Sequence, residues 1–210
     1  MTDDRELLTN LRDLARLNRL PGGAGASAAA IRRLVAGDTE VAVLDVGGGI
    51  GDMAMRFARH GWRTLLLDVH PQVVEAARAA TADEPRVQVG AGDARALPFA
   101  DGTFDVVHAS LLLHHLDPTD AVQALREMAR VTRHGIVVND LRRGILPLVA
   151  TGVAVALLGR CRATRADGLA SVRRAYDLRE TDAMLAEAGL RVVRRTNALM
   201  PRVVTTAVER

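Results

Sequence analysis

Three aspartates stand in or directly after three successive apolar segments, where a carboxylate can accept hydrogen bonds from a ligand. Asp45 lies in the apolar run at residues 41–46, Asp68 ends the segment LLLD, and Asp93 follows the third segment. A carboxylate in the position of Asp68 can accept from both hydroxyls of a ribose, and one in the position of Asp93 from an exocyclic amine. Each acid alone could equally be a surface residue at a strand end, but the three together predict a binding pocket.

A glycine-rich turn follows the first of these segments, where residues 47–51 read GGGIG. Glycines let the backbone approach a ligand closely, and the start of a following helix offers free N–H groups. The dinucleotide pattern G-x-G-x-x-G, counted from Gly47, would need a small residue at position 52, but Asp52 stands there, where a pyrophosphate would bind. The turn and the aspartates therefore favour an adenosine with an amino-acid tail. A purely structural turn is the alternative.

Parallel strands that are buried on both faces are expected to position these residues, because short continuous apolar runs alternate with helical segments. We predict an α/β fold with a doubly wound sheet of seven, mostly parallel strands, which binds ligands beyond the carboxyl ends of its strands. The predicted strands are residues 41–46, 64–68, 86–89, 104–109, 135–139, 190–193 and 203–208. Helices are predicted at residues 3–19, 27–36, 71–80 and 119–131, with a further helix that carries Met53 to Ala58 and helical structure within 144–175. Ser27 is the predicted N-cap of the helix at 27–36. A last helix begins with a capping box at Asp177 and Glu180 and ends at Gly189.

The size and composition predict one domain over residues 1–210. The chain has 210 residues, 49% of them hydrophobic and 25% charged, which is the balance of a folded protein that needs no disulfides. We expect N-terminal helices at 1–37, a ligand-binding core at 41–140, a helical lid at 141–176, and a C-terminal helix and strands at 177–210. A single cysteine, Cys161, and a polar start without a signal peptide predict a cytoplasmic protein.

The basic character of the chain is weak evidence for a nucleic-acid partner. All 28 cations are arginines, the net charge is only +3, and almost nothing titrates between the histidines and the arginines, so a small excess of charge raises the isoelectric point far. The sequence has three Phe, one Trp and one Tyr, which leaves few side chains on which bases could stack. We therefore expect no nucleic-acid partner.

Four segments resemble the ordered motifs of class I S-adenosylmethionine-dependent methyltransferases, and most closely the small-molecule branch of quinone-biosynthesis and polyketide-tailoring enzymes. These segments are VLDVGGGIG, LLLDVHP, GDARALPFADGTFDVVHASLLLHHL and GIVVNDLRR, all within residues 41–143. The resemblance implies S-adenosyl-L-methionine as the cofactor and assigns roles to individual residues. It implies that Gly47, Gly49 and Gly51 line the methionine tail, Asp45 supports the loop and the ammonium group, Asp68 holds the ribose, Asp93 and Ala94 read the adenine, Val69 flanks the adenine ring, and Ala109 or Ser110 approaches the sulfonium.

His114 and His115 are the candidate catalytic bases, because they follow the fourth predicted strand at the rim of the site. A base would help if the nucleophile is a phenol. Either histidine could instead be structural, bonded to a loop carbonyl. Two adjacent histidines cannot both face one ion from a regular element, so we predict no metal site. Arg142 or Arg143 could bind an anionic group of the substrate, but we favour a role in anchoring Asp140 or a helix end.

Residues 145–158 contain no charge and read ILPLVATGVAVALL. They are too few to span a bilayer, and we favour a buried or substrate-facing helix over membrane contact. In a lid, their apolar character predicts a hydrophobic acceptor.

The predicted function is methyl transfer to a small, largely hydrophobic acceptor, such as a phenolic, quinone-like or polyketide hydroxyl. The main alternative is a protein that binds the cofactor without transferring methyl, either as a partner subunit or as a different enzyme. A nicotinamide oxidoreductase is disfavoured by Asp52 and Asp93. The acceptor's identity and a homodimer are left open.

Overall fold

The computed structural model describes residues 9, 11–13, 15, 16, 18, 23–38, 40–158, 162–196 and 201–210. The predicted helix at residues 3–19 lies mostly outside this range, although the described residues from 9 to 16 are helical. The seven predicted strands are confirmed. They are β1 (Ala42–Val46), β2 (Arg63–Asp68), β3 (Val87–Ala91), β4 (Phe104–Ser110), β5 (Thr132–Leu141), β6 (Leu190–Thr196) and β7 (Arg202–Glu209).

The described helices begin and end largely where local signals predict them. They are α1 (Ala24–Leu34), α2 (Asp52–Ala58), α3 (Pro71–Thr81), α4 (Pro118–Val131), α5 (Ile145–Leu158), α6 (Arg162–Arg174) and α7 (Leu178–Glu187), with a short 3₁₀ helix at Leu113–His115. Pro71 and Pro118 occupy the first turns of their helices, where the missing N–H would be unpaired anyway. The predicted capping box is confirmed, with Asp177 and Glu180 each bonded to the other's backbone N–H.

The strands form one sheet in the order β3-β2-β1-β4-β5-β7-β6. Neighbouring strands from β3 to β5 are parallel, whereas β7 is antiparallel to both β5 and β6. The chain goes from β1 outward through β2 and β3 and then returns to β4 on the other side of β1. This reversal opens a crevice at the carboxyl ends of β1 and β4, where ligands bind in sheets of this kind.

Apolar side chains cover both faces of the sheet, which explains the continuous apolar runs in its strands. On one face, Leu44 and Val107 pack with Leu125 and Met128 of α4. On the other face, Val43 and Val106 pack in a cluster with Ile31 of α1 and Phe57 of α2. The two apolar clusters fix the neighbouring strands β1 and β4, whose carboxyl ends form the crevice.

The predicted N-cap role of Ser27 is wrong. Helix α1 begins at Ala24 after Gly23, and Ser27 lies buried inside it. Gly23 lies so close to the backbone of Asn18 that a Cβ at Gly23 would stand 2.1 Å from the Asn18 oxygen. The Ser27 hydroxyl instead contacts His108 Nε2 at 3.0 Å and accepts a hydrogen bond from Asn139 Nδ2 at 2.8 Å. Both partners are distant in sequence, so the local pattern could not indicate them.

Residues 145–158 form the predicted helix, but it is not buried, which contradicts one of the two predicted roles, buried or substrate-facing. One side of α5 packs on α6, but the opposite side faces outward, and Ile145 and Leu157 are 84% and 78% exposed. No helix within the described ranges is long and apolar enough to cross a membrane.

Candidate active site

A cavity of about 530 Å³ lies at the carboxyl ends of β1, β2 and β4, in the crevice that the strand order opens. This is the usual volume of a small-molecule site, roughly 300–1,000 Å³. The structure places nine of the predicted site residues on its wall: Asp45, Gly47, Gly49, Asp68, Val69, Asp93, Ala94, Ser110 and His115. The order of the strands therefore brings together segments that are spread over 70 residues of sequence.

Three predicted site residues do not line this cavity. Gly51 directly precedes α2 and turns the chain with a left-handed φ of 86°. Ala109 is fully buried in the apolar core, because its side chain points to the face of β4 that packs on that core. His114 faces a second, smaller cavity. The strand alternation and the tight 3₁₀ turn set these directions, and spacing alone did not predict them.

The glycine turn passes close over β2 and needs its glycines. Gly47 and Gly49 have left-handed φ values of 66° and 56°, which side chains disfavour. Gly48 has an ordinary φ, but a Cβ on it would stand 2.4 Å from Leu66 Cγ and 3.0 Å from Asp45 Oδ2. The turn thus leaves bare backbone facing the cavity.

Asp45 presents an unpaired carboxylate oxygen in this region. The residue is fully buried, and its Oδ1 lies 2.7 Å from His108 Nδ1. Its Oδ2 is buried and has no hydrogen-bond partner among the described residues. An unpaired buried carboxylate oxygen is unfavourable unless a ligand supplies a donor. Asp45 therefore suits a cationic or N–H group of a molecule bound in the cavity.

His108 is a buried polar residue that the sequence analysis did not single out. It stands in the middle of β4, fully buried between Asp45 and Ser27. Its imidazole holds the Asp45 carboxylate in place and thereby orients the free Oδ2. A histidine between the apolar residues Val107 and Ala109 of the predicted strand was the available signal.

Asp68 lies at the end of β2 with bonding capacity to spare. Its Oδ1 accepts a hydrogen bond from the His70 N–H at 3.0 Å, and its Oδ2 accepts one from the Gly49 N–H at 3.2 Å. These bonds fix the carboxylate beside the glycine turn. Because a carboxylate has about four lone-pair sites, both oxygens can still accept from a diol.

The Asp93 carboxylate is already bound by the side chain of Arg95, which the sequence did not indicate. Both of its carboxylate oxygens accept hydrogen bonds from the Arg95 guanidinium, at 2.7 to 3.1 Å, and Arg95 also pairs with Asp120 at 2.7 Å. These bonds from Arg95 lower the pKa of Asp93. Asp93 therefore stays ionised, with part of its acceptor capacity already used at the cavity edge.

Asp52, Asn18 and Arg202 form a polar network at the cavity, and no sequence motif indicated a site role for any of them. Asp52 Oδ2 accepts a hydrogen bond from Asn18 Nδ2 at 2.7 Å, and both residues line the cavity. Burial raises the pKa of Asp52, and its bond with Asn18 opposes this only in part. Arg202 donates to Asn18 Oδ1 and to Ser110 Oγ, the latter at 2.8 Å. Burial lowers the pKa of Arg202 to about 10.

The two adjacent histidines face different cavities. His115 is exposed on the wall of the large cavity. His114 is buried, with Nδ1 at 2.5 Å from Asp140 Oδ1, and the two imidazole rings have their centroids 4.2 Å apart. Burial favours a raised pKa for Asp140, but His114 and the N–H groups of Leu113 and Leu141 together keep that pKa below its ordinary value. Asp140 therefore fixes His114, which packs against His115.

The second cavity has a volume of about 20 Å³ and lies between the end of β5 and α7. Arg142 lines it, with a buried Nε that has no hydrogen-bond partner in the described part of the chain, whereas Arg143 pairs with Glu180 of α7 at 2.6 Å. The predicted anchoring of a helix end thus fits Arg143. Tyr176 donates to the Leu116 carbonyl at 2.7 Å, so it holds the loop after the 3₁₀ helix.

The apolar part of the cavity wall comes from the loop after β4. Leu111, Leu112 and Leu116 line it, together with Leu11 from the N-terminal region. Leu111 has a left-handed φ of 55°, which is strained for a leucine. Its N–H donates to the Asn139 carbonyl at 3.0 Å, which holds the strained turn in place. Within the described residues, no group of three or more His, Cys, Asp or Glu side chains could hold a metal ion.

The chain is similar to known methyltransferases. The model of a methyltransferase domain matches residues 43–135, from β1 into β5. The chain is 30% identical, over 166 residues, to the ubiquinone/menaquinone biosynthesis C-methyltransferase UbiE of Hahella chejuensis, covering 70% of this chain and 66% of that protein. It is 41% identical, over 95 residues, to the demethylmenaquinone methyltransferase of Thermobifida fusca, covering 44% of this chain and 39% of that protein.

Residues 43–135 of the chain form a methyltransferase domain. Among solved structures, an S-adenosylmethionine-dependent methyltransferase from Aquifex aeolicus shares the fold with a TM-score of 0.70 at 18% identity, over 99% of this chain and 98% of that one. The [4+2]-cyclase SpnF also shares it, with a TM-score of 0.61 at 22% identity, over 80% of this chain and 57% of that one. The matched segments span two thirds or less of the length of the two curated relatives above. The matched region includes the glycine turn, the three aspartates and both candidate histidines.

Proposed function

We propose that this methyltransferase transfers a methyl group from S-adenosylmethionine to a small, largely hydrophobic acceptor with a phenolic, quinone-like or polyketide hydroxyl. The observation that carries the proposal is the unpaired, buried Oδ2 of Asp45 on the wall of a cavity of about 530 Å³. An ammonium group is the ligand feature that would satisfy this oxygen most fully, because hydrogen bonds between charged groups are the strongest.

The residues of the cavity fit the remaining parts of the cofactor. The glycine turn leaves space for the methionine tail, and Asp68 can accept hydrogen bonds from the ribose hydroxyls. Asp93, Ala94 and the 58% exposed side chain of Val69 lie along the wall on the adenine side. Ser110 is held by Arg202 at 2.8 Å on the side assigned to the sulfonium.

The cofactor, when bound, supplies an electrophilic methyl group, so the protein has mainly to position the acceptor and exclude water. Leu111, Leu112 and Leu116 offer an apolar surface to an aromatic acceptor. Alignment of the reacting groups can lower a barrier by roughly 7–11 kcal/mol. His115, on the same wall, can take the proton of a phenol, and the buried His114–Asp140 pair holds its neighbour in position.

The names of the curated relatives support a quinone-like acceptor. One is named a ubiquinone/menaquinone biosynthesis C-methyltransferase and the other a demethylmenaquinone methyltransferase. We place the reacting atom on the hydroxyl, and a panel of acceptors separates this from ring-carbon transfer.

The test is calorimetry followed by turnover. S-adenosylmethionine and S-adenosylhomocysteine should bind, and NAD should not. With phenols, hydroquinones and polyketides as acceptors, S-adenosylhomocysteine should accumulate together with a methylated product whose mass and fragmentation locate the new methyl. Binding of NAD alone would contradict the cofactor assignment, and a methyl on ring carbon would correct the reacting atom.

A second candidate function is supported by the fold of SpnF, a cyclase. On this alternative the chain binds the cofactor and catalyses another reaction or acts as a partner subunit. Tight cofactor binding with no S-adenosylhomocysteine formed from any acceptor would favour it.

A further inference from the structure

Helix α5 presents an exposed apolar face on the outside of the protein. We define the α5 face by Ile145, Leu146, Val149, Val153 and Leu157, which are 56% to 84% exposed. These positions fall within about 120° on a helix that advances 100° per residue. Among the described residues, only Val69 and Val193 are other large apolar side chains with comparable exposure.

The α5 face is apolar on a helix with no charged residue at all. A surface helix normally carries polar residues on its outer side, and a helix that is apolar all round is normally buried in protein or lipid. Here the inner side packs on α6, and no described part of the chain covers the outer side. A contiguous patch of this kind marks an interaction surface.

The segment around α5 also concentrates positive charge. Residues 141–166 contain five arginines and no acid, at positions 142, 143, 160, 162 and 165. With 28 cations and 25 anions in the whole chain, the remaining residues carry 23 cations against 25 anions, a net charge of −2. In the sequence, the excess positive charge of the protein therefore flanks the segment that forms α5.

We propose that the α5 face lies in the surface of an anionic lipid bilayer, whose headgroups attract the basic segment around the helix. Apolar side chains enter the boundary between headgroups and acyl chains, and each nearby cation adds attraction to anionic lipids. The helix lies in the interface and does not cross it. The proposal does not depend on methyl transfer.

The charges favour a bilayer over a second copy of this chain. In a two-fold dimer the same face of each copy would meet, which would bring two segments of five arginines together without an acid inside either one. Arg143 has its own partner in Glu180 at 2.6 Å, and the first acid after the segment is Asp167. Anionic headgroups supply the missing negative charge around the whole face.

The position of α5 links the bilayer to the active site. Helix α6 packs on α5 and also contacts the 3₁₀ helix that carries His115. An acceptor soluble in lipid would then be taken up close to the cavity.

The test uses the full chain and sedimentation with vesicles of phosphatidylcholine alone or of equal parts phosphatidylcholine and phosphatidylglycerol. We expect binding to the mixed vesicles, weakened by added salt. Val149→Glu and Val153→Glu should each reduce binding by about tenfold or more, because each removes a buried apolar side chain from the interface. Val193→Glu, at a 45% exposed valine of β6, is the matched control and should bind as the unmodified protein does.

Calorimetry with S-adenosylmethionine and circular dichroism establish that each variant is folded, because Val149 and Val153 lie outside the cofactor cavity. Failure to bind anionic vesicles, or equal loss in the Val193→Glu variant, would overturn the proposal. So would a dimer in sedimentation equilibrium that Val149→Glu dissociates, because the α5 face would then bind a second copy. None of these outcomes would alter cofactor binding or turnover with a water-soluble acceptor, which test the proposed function separately.

Discussion

Asp45 has two carboxylate oxygens in different states, one bonded to His108 and one unpaired. Asp45→Asn keeps the shape and the contact with His108 but removes the charge. Affinity for S-adenosylmethionine should fall by about 1.5–3 kcal/mol, the range for hydrogen bonds to charged groups. Calorimetry measures the loss, and Asp83→Asn, at an exposed acid outside the cavity, is the control. Unchanged affinity in Asp45→Asn would remove the ammonium assignment.

The two histidines should respond differently to substitution. His115→Gln removes the candidate base from the large cavity and should lower kcat for a phenol by about 10²–10⁴-fold, with the loss concentrated in the pH-dependent part of the rate. His114→Gln keeps His115 but removes the imidazole that packs against it. We therefore expect a smaller loss of kcat and an unchanged pH profile. Steady-state rates across a pH series separate the two. A larger loss in His114→Gln would reverse the roles.

Asp52 makes stability depend on pH. Burial raises its pKa in the folded protein above the ordinary value. The folded state therefore binds this proton more tightly, and the resulting stability is complete below about pH 4 and is lost as the pH rises through the raised pKa. Asp52→Asn should remove this loss, so the variant gains free energy of unfolding relative to the unmodified protein as pH increases from 4. Urea unfolding at several pH values measures the difference, and a constant difference would contradict the pKa shift.

At the scale of elements, two glycines provide a matched pair. Gly51 and Gly61 have left-handed φ values of 86° and 84°. A Cβ at Gly51 would stand 2.7 Å from Thr81 Cγ2, whereas a Cβ at Gly61 would meet nothing within 4 Å. Gly61→Ala should cost about 1–2 kcal/mol of strain. Gly51→Ala should cost about 1–3 kcal/mol more, because α2 must move away from α3.

The free energy of unfolding in urea measures both glycine variants. Equal losses would mean that Thr81 rotates away freely and that the turn before α2 is less constrained than its contacts indicate.

The central strands β1 and β4 were predictable because each is buried on both faces and therefore appears as a short apolar run. The start of α1 was not predictable. Serine is a frequent N-cap, but Ser27 binds His108 and Asn139, which lie more than 80 residues away in sequence. Local propensity cannot include such partners. The directions of His114 and His115 likewise depend on the 3₁₀ turn and on Asp140, not on their spacing.

At the scale of the whole molecule, the strand ends that form the cavity could be predicted, but the hydrogen bonds that connect its residues could not. Asp45, Asp68 and Asp93 all reach it, as their positions suggested. Arg202 enters from the last strand, antiparallel to β5, and no motif indicates that its side chain reaches Ser110. The exposure of α5 was missed because apolar composition does not distinguish a covered helix from an uncovered one.

Cofactor binding should stabilise the entire fold, because the cavity joins β1, β2, β4 and the N-terminal region. At a concentration of about 100 times its dissociation constant, S-adenosylhomocysteine should raise the free energy of unfolding by about 2.7 kcal/mol if it binds only the folded state. Thermal unfolding with increasing ligand measures this rise. NAD at the same concentration is the control, and an equal rise with NAD would show that the cavity does not discriminate between the two.

The position of β7 in the sheet has a consequence for how the nascent chain folds. Strand β6 precedes β7 in the sequence but joins the sheet only through β7, which lies between it and β5. Strand β6 can therefore join the sheet only once β7 has paired with β5, and until then β5 keeps an open edge of unpaired N–H and carbonyl groups. The emerging polypeptide would be most prone to aggregate in this interval, and the risk ends when β7 closes the gap.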